Sequence, residues 1–371
     1  MMEEIKHIIN ILARPYIMFP AMIAVFFFIF PPNDGLMKIN RRLGLYKLWT
    51  NKGGIAIFAF LFLSFGFGLT DENFRLIVTK ADNVPIVGLI FLVTFFLWLV
   101  MKQAWENDER MAAGLPPREA EDKENILVWP DLVYIELIAL LLVSALLIFW
   151  AIFLKAPLED PANPTVSPNP SKAPWYFLGL QEMLVYFDPW IAGVVFPTVI
   201  ILGFMAIPFI DNNRKGLGYY TYNQRKMAIS IFLFFWLVLW IFLIVTGTFL
   251  RGPNWNFFGP FEKWDVHKLE ALTNINLSEI IYMVLLNTRL PDNILLREMW
   301  GILLILGYFM ATPLILAKTI LKNVYFRLGP MRYSIFIFFM LLAASLPIKM
   351  FLRWLFNIKY IVAIPEFFLN I

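Results

Sequence analysis

The chain has 371 residues, of which 60% are hydrophobic and only 16% are charged, and its formal net charge is +4. A soluble domain of this length needs a polar surface that this composition does not supply. The mean hydropathy of +0.69 and the 38 Phe and 13 Trp residues indicate a protein whose outer surface meets lipid. The Lys and Arg residues lie between apolar runs, so the sequence does not indicate nucleic-acid binding.

The chain contains no Cys and only two His, His7 and His267. The absence of Cys excludes disulfides, iron–sulfur ligation by this chain and thioether-linked haem. A pair of b-type haems held by imidazoles needs more His than this, placed inside spanning helices, and neither His lies in a long apolar run. The sequence therefore predicts that the chain itself carries no such haem.

About eight apolar runs approach the length of roughly 20 residues that a helix needs to cross the hydrocarbon core. They are 16–31, 54–70, 84–101, 132–154, 189–210, 228–250, 301–321 and 333–349. The predicted fold class is an all-α, polytopic transmembrane bundle of about eight spans with short interfacial helices. We expect the first run to be retained, because no small-residue cleavage site follows it. The apolar tail 351–371 contains Arg353, Lys359 and Pro365, so we expect an interfacial or re-entrant piece.

Basic residues in short loops predict the orientation. They concentrate in three loops that alternate correctly along the chain, namely Lys38, Arg41, Arg42, Lys47 and Lys52, then Arg214, Lys215, Arg225 and Lys226, then Lys322, Arg327 and Arg332. These loops, with the charged loop 102–131, are predicted to be cytoplasmic. Loops 71–83, 155–188 and 251–300 then face the positive side. The same scheme puts the first 15 residues outside, so the first run need not cross the membrane fully.

Two long outer loops differ from ordinary connections. In the first, six prolines between Pro157 and Pro174 exclude a helix and favour an extended backbone. The next segment, WYFLGLQEMLVYF, contains no proline and predicts a helix over 175–186 that is too short to span. The second loop, RGPNWNFFGPFEKWDVHK, is rich in aromatic residues, as at a membrane interface.

The order of a spanning helix, a proline-rich outer loop, a short helix opening with Trp-Tyr-Phe and a second span resembles the C-terminal part of cytochrome b, which is subunit IV in complexes of the photosynthetic type. The segments that carry the resemblance are PDLVYIELIALL, PLEDPANPTVSPNPSKAPWYF and DPWIAGVVFPTVIILGFMAIPFID, and together they cover roughly 130–250. The family's quinol-oxidation motif is Pro-Glu-Trp-Tyr, and Ala173-Pro174-Trp175-Tyr176 aligns with it. Pro174 therefore stands where the family has a glutamate that is thought to accept a quinol proton.

The resemblance implies a haem-free subunit of a quinol–cytochrome c type oxidoreductase in an energy-conserving membrane, such as the bacterial cytoplasmic membrane. Quinone and quinol would be the substrate. The implied partners are a haem-bearing cytochrome b N-terminal-type subunit, a Rieske-type iron–sulfur protein and a c-type cytochrome, in a dimeric complex. We expect three parts: an N-terminal extension with about three spans and a charged loop (1–125), the cytochrome b-like part (126–250) and a C-terminal extension (251–371).

The departure at Pro174 makes Glu182 the candidate proton acceptor, since a carboxylate in apolar surroundings can exchange protons near neutral pH. Helical spacing puts it on one face with Trp175, Leu178 and Gly179, and we expect Gly179 to leave room for a flat ring. The alternative is that Glu182 faces headgroups or pairs with Lys172. Tyr176 is expected to donate a hydrogen bond to a quinone oxygen or to the iron–sulfur protein, or else to be an interfacial anchor. The expected quinone-binding residues are Pro174, Trp175, Phe177, Leu178, Gly179 and Met183.

Other polar residues have simpler interpretations. Asp188 and Asp160 are expected to be turn residues, and Glu136 to reach the interface from the start of its span unless it is functional there. His7 and His267 are expected to be ordinary polar residues, although an axial bond to a partner's haem stays open. Two other function classes compete. One is a structural scaffold with an inactive quinol site, and the other is a secondary transporter, which the absence of repeated or charged mid-membrane helices disfavours.

Overall fold

The computed structural model describes residues 2–121, 125–156, 158, 161–165, 167–212, 220–270 and 273–371. In these ranges the chain is almost entirely helical. The helices that we number are α1 Met2–Leu12, α2 Pro15–Ile29, α3 Asp34–Leu43, α4 Asn51–Leu69, α5 Glu72–Val78, α6 Val84–Ala112, α7 Val128–Phe153, α8 Trp175–Met183, α9 Ile191–Ile210, α10 Lys226–Leu250, α11 277–285, α12 Ile294–Lys318 and α13 Lys322–Phe356. Single helical turns lie at Leu45–Trp49, Arg118–Glu121, Pro253–Trp255 and Pro365–Phe367.

Seven of these helices are long and apolar enough to cross a membrane, and the pair α1 and α2 makes an eighth if it is one bent span. The all-α, polytopic prediction is confirmed, and the chain is a multi-pass integral membrane protein. The seven are α4, α6, α7, α9, α10, α12 and α13. The last span extends to Phe356, beyond the predicted end at 349, and ends at Asn357, which has a left-handed backbone conformation.

The first helical pair bends by 78° between Leu12 and Pro15. Helix α1 lies against two of the loops predicted to be outer. Lys6 Nζ is 2.7 Å from Asp71 Oδ2, and the backbone N–H of Phe261 donates to Asn10 Oδ1 over 2.9 Å. These contacts agree with the orientation scheme, which puts the first 15 residues on the same side as loops 71–83 and 251–300.

The basic loops meet one another at the opposite end of the bundle. Lys226 pairs with Asp34, the Arg41 guanidinium lies over the Trp105 ring, and the Asn212 amide donates to the Arg327 carbonyl. The two sets of loops are thus separated by the spanning helices, as alternation along the chain requires.

In the described residues, four short strands lie at the end of the bundle that carries the loops predicted to be outer, which we call the outer end. β1 Ile275–Asn276 pairs in parallel with β2 Ile358–Tyr360, and β3 Ala363–Ile364 pairs antiparallel with β4 Leu369–Asn370. The tail predicted to be interfacial therefore consists of the end of α13 followed by β2, β3 and β4. It contacts the loop after α10 where β2 pairs with β1.

The spanning helices differ in how much of them is covered. In α10, 39% of the most apolar 18-residue stretch is buried inside the protein. Val238, Leu239 and Leu243 of this helix pack in the main core with Phe19 of α2. In α7 none of the corresponding 18-residue stretch is buried. Helix α10 therefore lies at the centre of the bundle, and it presents its outer end to α8.

Candidate functional site

Helix α8 begins directly after the proline-rich loop, and the Gln181 side chain holds the last residues of that loop in place. The Gln181 side chain accepts from the Ala173 backbone N–H over 2.8 Å and donates to the Ser171 carbonyl over 2.8 Å. Pro174 precedes the first helical residue with an extended backbone and offers no side chain to cap the helix. The amide of Gln181 thus holds residues 171–173 against the helix that follows them.

The predicted site residues divide along α8, with an exposed group at its start and a buried group in the turns that follow. Leu178, Gly179, Glu182 and Met183 are buried. Pro174, Trp175, Tyr176 and Phe177 are exposed, and Trp175 is 41% exposed although helical spacing places it near Glu182. Trp175 lies in the first turn, before the residues that pack on α10. The structure therefore groups four of the eight predicted residues inside the bundle and leaves four on its surface.

The space expected beside Gly179 for a flat ring is occupied by this chain itself. A Cβ added to Gly179 would lie 3.4 Å from Ile244 Cγ1 and 3.7 Å from the Trp240 ring. On the facing helix, a Cβ on Gly247 would lie 3.4 Å from the Leu178 carbonyl oxygen. The two glycines thus allow close packing of α8 on α10. Spacing along one helix does not reveal the helix that covers Gly179, and its role as a quinone-binding residue stays a prediction.

Glu182 is fully buried, and its carboxylate is bound by residues that follow α10. Arg251 donates from Nη2 to Oε1 over 2.7 Å and from Nε to Oε2 over 3.0 Å. The Trp255 indole N–H donates to Oε2 over 3.1 Å, and the Tyr186 hydroxyl lies 3.5 Å from Oε1. A two-point guanidinium–carboxylate pair of this kind fixes both partners in position.

Charge and burial act in opposite directions on Arg251. Burial alone lowers the pKa of a guanidinium, but the adjacent Glu182 charge more than offsets this, so the pKa of Arg251 is raised. The pKa of the Tyr186 hydroxyl is also raised, first by burial and then by the Glu182 charge. Arg251 and Tyr186 therefore both stay protonated, and both can donate to the carboxylate.

Neither alternative for Glu182 describes this arrangement. The side chain does not face headgroups, since it is 0% exposed, and its ion-pair partner is Arg251. Lys172 instead donates from Nζ to the Thr248 carbonyl over 2.7 Å. The proposed role of Glu182 in proton transfer is not tested by this geometry and stays a hypothesis.

The sequence reasoning missed Arg251, Trp255 and Tyr186. Arg251 did give a signal, because a basic residue that directly follows a span on the predicted outer side departs from the usual bias toward the cytoplasmic side. Its partner could not be identified, since Glu182 lies 69 residues earlier in the chain. Trp255 and Tyr186 were indistinguishable from the other interfacial aromatic residues.

The remaining polar residues lie away from this pair. Asp188 accepts from the Trp190 backbone N–H and from the Asn370 side chain, which fits a turn residue. Glu136 is exposed in the first turns of α7, and His7 and His267 are exposed. Asp160 lies outside the described residues. Within the described ranges, no group of three or more Asp, Glu, His or Cys side chains is arranged to hold a metal ion.

Comparison with known families matches the centre of this chain. The family model described as cytochrome b (C-terminal)/b6/petD matches residues 161–261, about a quarter of the chain. The match begins later than the resemblance seen in the sequence, and it continues past residue 250 to include Arg251 and Trp255. No solved structure matches the chain. Residues 161–261, which hold Glu182 and its partners, are therefore similar to the C-terminal region of cytochrome b or to subunit IV, and they lie within a longer multi-pass membrane chain.

Proposed function

We propose that this chain is the haem-free membrane subunit of a quinol–cytochrome c type oxidoreductase, the C-terminal part of a split cytochrome b, and that it forms part of the quinol-oxidation site. The observation that supports this most directly is Glu182. It is the one carboxylate of α8, it is fully buried, and it lies in the matched region directly after the aligned motif. A buried ionisable group in a membrane protein is costly unless function or tight pairing retains it.

The proposed partners are those that the similarity to cytochrome b implies. They are b-haems on a cytochrome b N-terminal-type subunit, a Rieske-type cluster on an iron–sulfur protein and a c-type cytochrome as acceptor, and a chain with no Cys and no His in a span is compatible with redox centres on partner chains. The complex would be dimeric and would lie in an energy-conserving membrane such as the bacterial cytoplasmic membrane. Loops 155–188 and 251–300 would face its positive side, away from the basic loops.

In this proposal, Glu182 receives a proton that the quinol loses while its electrons leave to the partner chains. Pro174 cannot do this, because proline has no ionisable side chain. Arg251 has a second acceptor, since its Nη1 donates to the Trp255 carbonyl over 3.0 Å. A shift of the guanidinium toward that carbonyl would free a carboxylate oxygen of Glu182 for the proton, and the Tyr186 hydroxyl would remain as its neighbour.

The test is Glu182→Gln, which keeps the size of the side chain and removes its charge. Quinol:acceptor turnover and the amount of assembled complex are measured together. Loss of turnover in a fully assembled complex supports the role, and unchanged turnover contradicts it. Glu298→Gln is the matched control, because Glu298 is 1% exposed and accepts from Arg297 Nε over 3.2 Å, yet it packs on the C-terminal strands through the Ala363 N–H.

Tyr176 is the proposed hydrogen-bond donor on the exposed face. Its ring contacts Trp240 at 5.8 Å between centroids, and the side chain is 53% exposed, so the hydroxyl is accessible to a quinone oxygen or a docked protein. Tyr176→Phe should lower turnover several-fold without loss of the complex. Tyr134→Phe, a similarly exposed tyrosine on α7, is the control, and equal turnover in the two variants would contradict the role of Tyr176.

One observation favours the scaffold with an inactive site. Arg251 and Trp255 already donate to both Glu182 oxygens, which describes a structural anchor equally well. The scaffold predicts that Glu182→Gln lowers the amount of assembled complex and that the intact complex shows no quinol oxidation. The transporter has no comparable observation in its favour.

A further inference from the structure

Thr248, in the last turn of α10, and Trp264, in the loop that follows it, each carry a buried polar group without a partner among the described residues. The Thr248 hydroxyl is 2% exposed, and neither it nor the Trp264 indole N–H has a hydrogen-bond partner in the described part of the chain. Buried hydroxyl and indole groups are usually satisfied, because leaving one unpaired costs about 1–3 kcal/mol. Each of these groups can therefore bind a further polar group, such as water.

Lys172 contacts both of these residues. Its Nζ donates to the backbone carbonyl of Thr248 over 2.7 Å and is 4.8 Å from the centroid of the Trp264 ring. The position is fixed by the neighbouring backbone, because Gln181 binds Ser171 on one side of Lys172 and Ala173 on the other. Lys172 is also only two residues from Pro174, at the start of the aligned motif.

The amine is held without a carboxylate. Within the described residues, no acidic side chain lies within salt-bridge distance of Lys172, and its contacts are a carbonyl and an aromatic face. The charged groups around it are Lys80, Asp82, Glu182 and Arg251. Burial, followed by the Lys80 charge, lowers the pKa of Lys172 to about 8, so the neutral amine becomes populated just above neutral pH.

Lys268 is a lysine with similar contacts but with acidic partners. Lys268 also donates to a backbone carbonyl, that of Phe257 over 2.7 Å, and lies 4.4 Å from the centroid of the Phe258 ring. Unlike Lys172, it pairs with Glu262 and Glu270. Lys172 and Lys268 make the same kinds of contact and differ in the counter-charge. Within the residues that the structure describes, loss of the positive charge therefore breaks an ion pair at Lys268 and breaks none at Lys172.

We propose that Lys172 is a proton-relay residue of the quinol-oxidation site, taking up a proton from the quinol and passing it to water on the outer face. This inference rests on the proposed function. The quinol O–H bond breaks and an N–H bond forms on the neutral amine, while the electrons leave to the one-electron acceptors of the partner chains. The resulting ammonium then loses a proton to water, and the Thr248 hydroxyl and the Trp264 N–H bind that water. Glu182 and Lys172 would serve the two protons that each quinol releases.

The experiment uses the purified complex, a short-chain quinol and an oxidised acceptor, with turnover measured from pH 6 to pH 9.5. Wild-type turnover should rise with pH around a midpoint near 8, because the neutral amine is the active form. Lys172→Arg keeps the charge and the donor to the Thr248 carbonyl but cannot become neutral. It should lower turnover at least roughly tenfold and abolish this rise. Lys172→Gln, which keeps a donor without a charge, should also abolish the rise.

Lys268→Arg is the matched control and should leave the pH profile unchanged. Wild-type turnover with an unchanged profile in Lys172→Arg overturns the relay, as does failure of both Lys172 variants to assemble, which would make the residue structural. If the wild-type complex oxidises no quinol, the proposed function itself fails. If it does, and Glu182→Gln is inactive while Lys172→Arg is normal, only the relay fails.

Discussion

The two ends of the bundle each hold a buried carboxylate, and they stabilise it differently. At the outer end, Glu182 is bound by side chains, the Arg251 guanidinium and the Trp255 indole. At the end with the basic loops, Asp108 is 8% exposed and accepts from two backbone N–H groups, those of Tyr222 at 3.2 Å and Asn223 at 2.9 Å. Replacing the Arg251 or Trp255 side chain removes a donor to Glu182. The donors to Asp108 are backbone groups, so replacing the side chain of Tyr222 or Asn223 does not remove them. The position of Glu182 therefore depends on side chains that a single substitution can remove, whereas Asp108 joins two parts of the chain through backbone groups that no substitution of Tyr222 or Asn223 other than proline removes.

The largest effect is expected from Arg251→Gln. The change leaves Glu182 buried without its counter-charge, which should lower the free energy of unfolding by about 3–5 kcal/mol. Thermal unfolding of the purified complex, or its yield after membrane extraction, measures this loss. An unfolding temperature equal to that of wild type would show that Glu182 does not depend on the ion pair.

The double variant Glu182→Gln/Arg251→Gln should be more stable than Arg251→Gln alone. Two neutral amides replace the pair, so no unpaired charge remains, and coupling energies between contacting residues are about 0.5–3 kcal/mol. Thermal unfolding of the two single variants and the double variant completes the cycle. Additive losses would contradict a direct interaction.

At the inner end, Asp108→Ala should cost about 1–3 kcal/mol, because the N–H groups of Tyr222 and Asn223 lose their acceptor. Asp108→Asn keeps one carboxamide oxygen and should cost less. The same thermal unfolding assay applies. If Asp108→Asn were as damaging as Arg251→Gln, the contrast between backbone and side-chain stabilisation would be wrong.

The smallest effect is expected from Trp255→Phe, which keeps an aromatic ring and removes the N–H that Glu182 accepts. One hydrogen bond to a charged group contributes about 1.5–3 kcal/mol, and here Arg251 still neutralises the charge, so the loss should lie at the lower end. Trp175→Phe, on the exposed face of α8, is the control and should change the unfolding temperature little. An equal decrease in unfolding temperature in both variants would show that the lost Trp255 N–H is not the cause of the destabilisation.

Much of the fold was predictable because apolar length alone identifies a spanning helix, and the bias of basic residues orders the loops. The buried position of Glu182 was within reach of the sequence, since helical spacing placed it with Leu178 and Gly179. Arg251 as its partner was not, because the contact depends on α8 packing against the outer end of α10. Gly179 shows the same limit, since the residues that cover it, Trp240 and Ile244, come from that helix. The division of the chain at residues 125 and 250 stays a prediction, although the Glu182–Arg251 pair crosses the second boundary.

The bent first helix has a consequence for the order in which the protein is made. Helix α1 emerges early, but Phe261, which donates to Asn10, is 251 residues further along the chain. Lys359, which donates to the Leu184 carbonyl after α8, follows it by 175 residues. Contacts so distant in sequence form only after the intervening spans have been synthesised and inserted. The contact of Lys359 with the chain after α8 is therefore among the last to form, and a truncated chain that lacks residues 357–371 would insert its spans without completing the surface at Leu184.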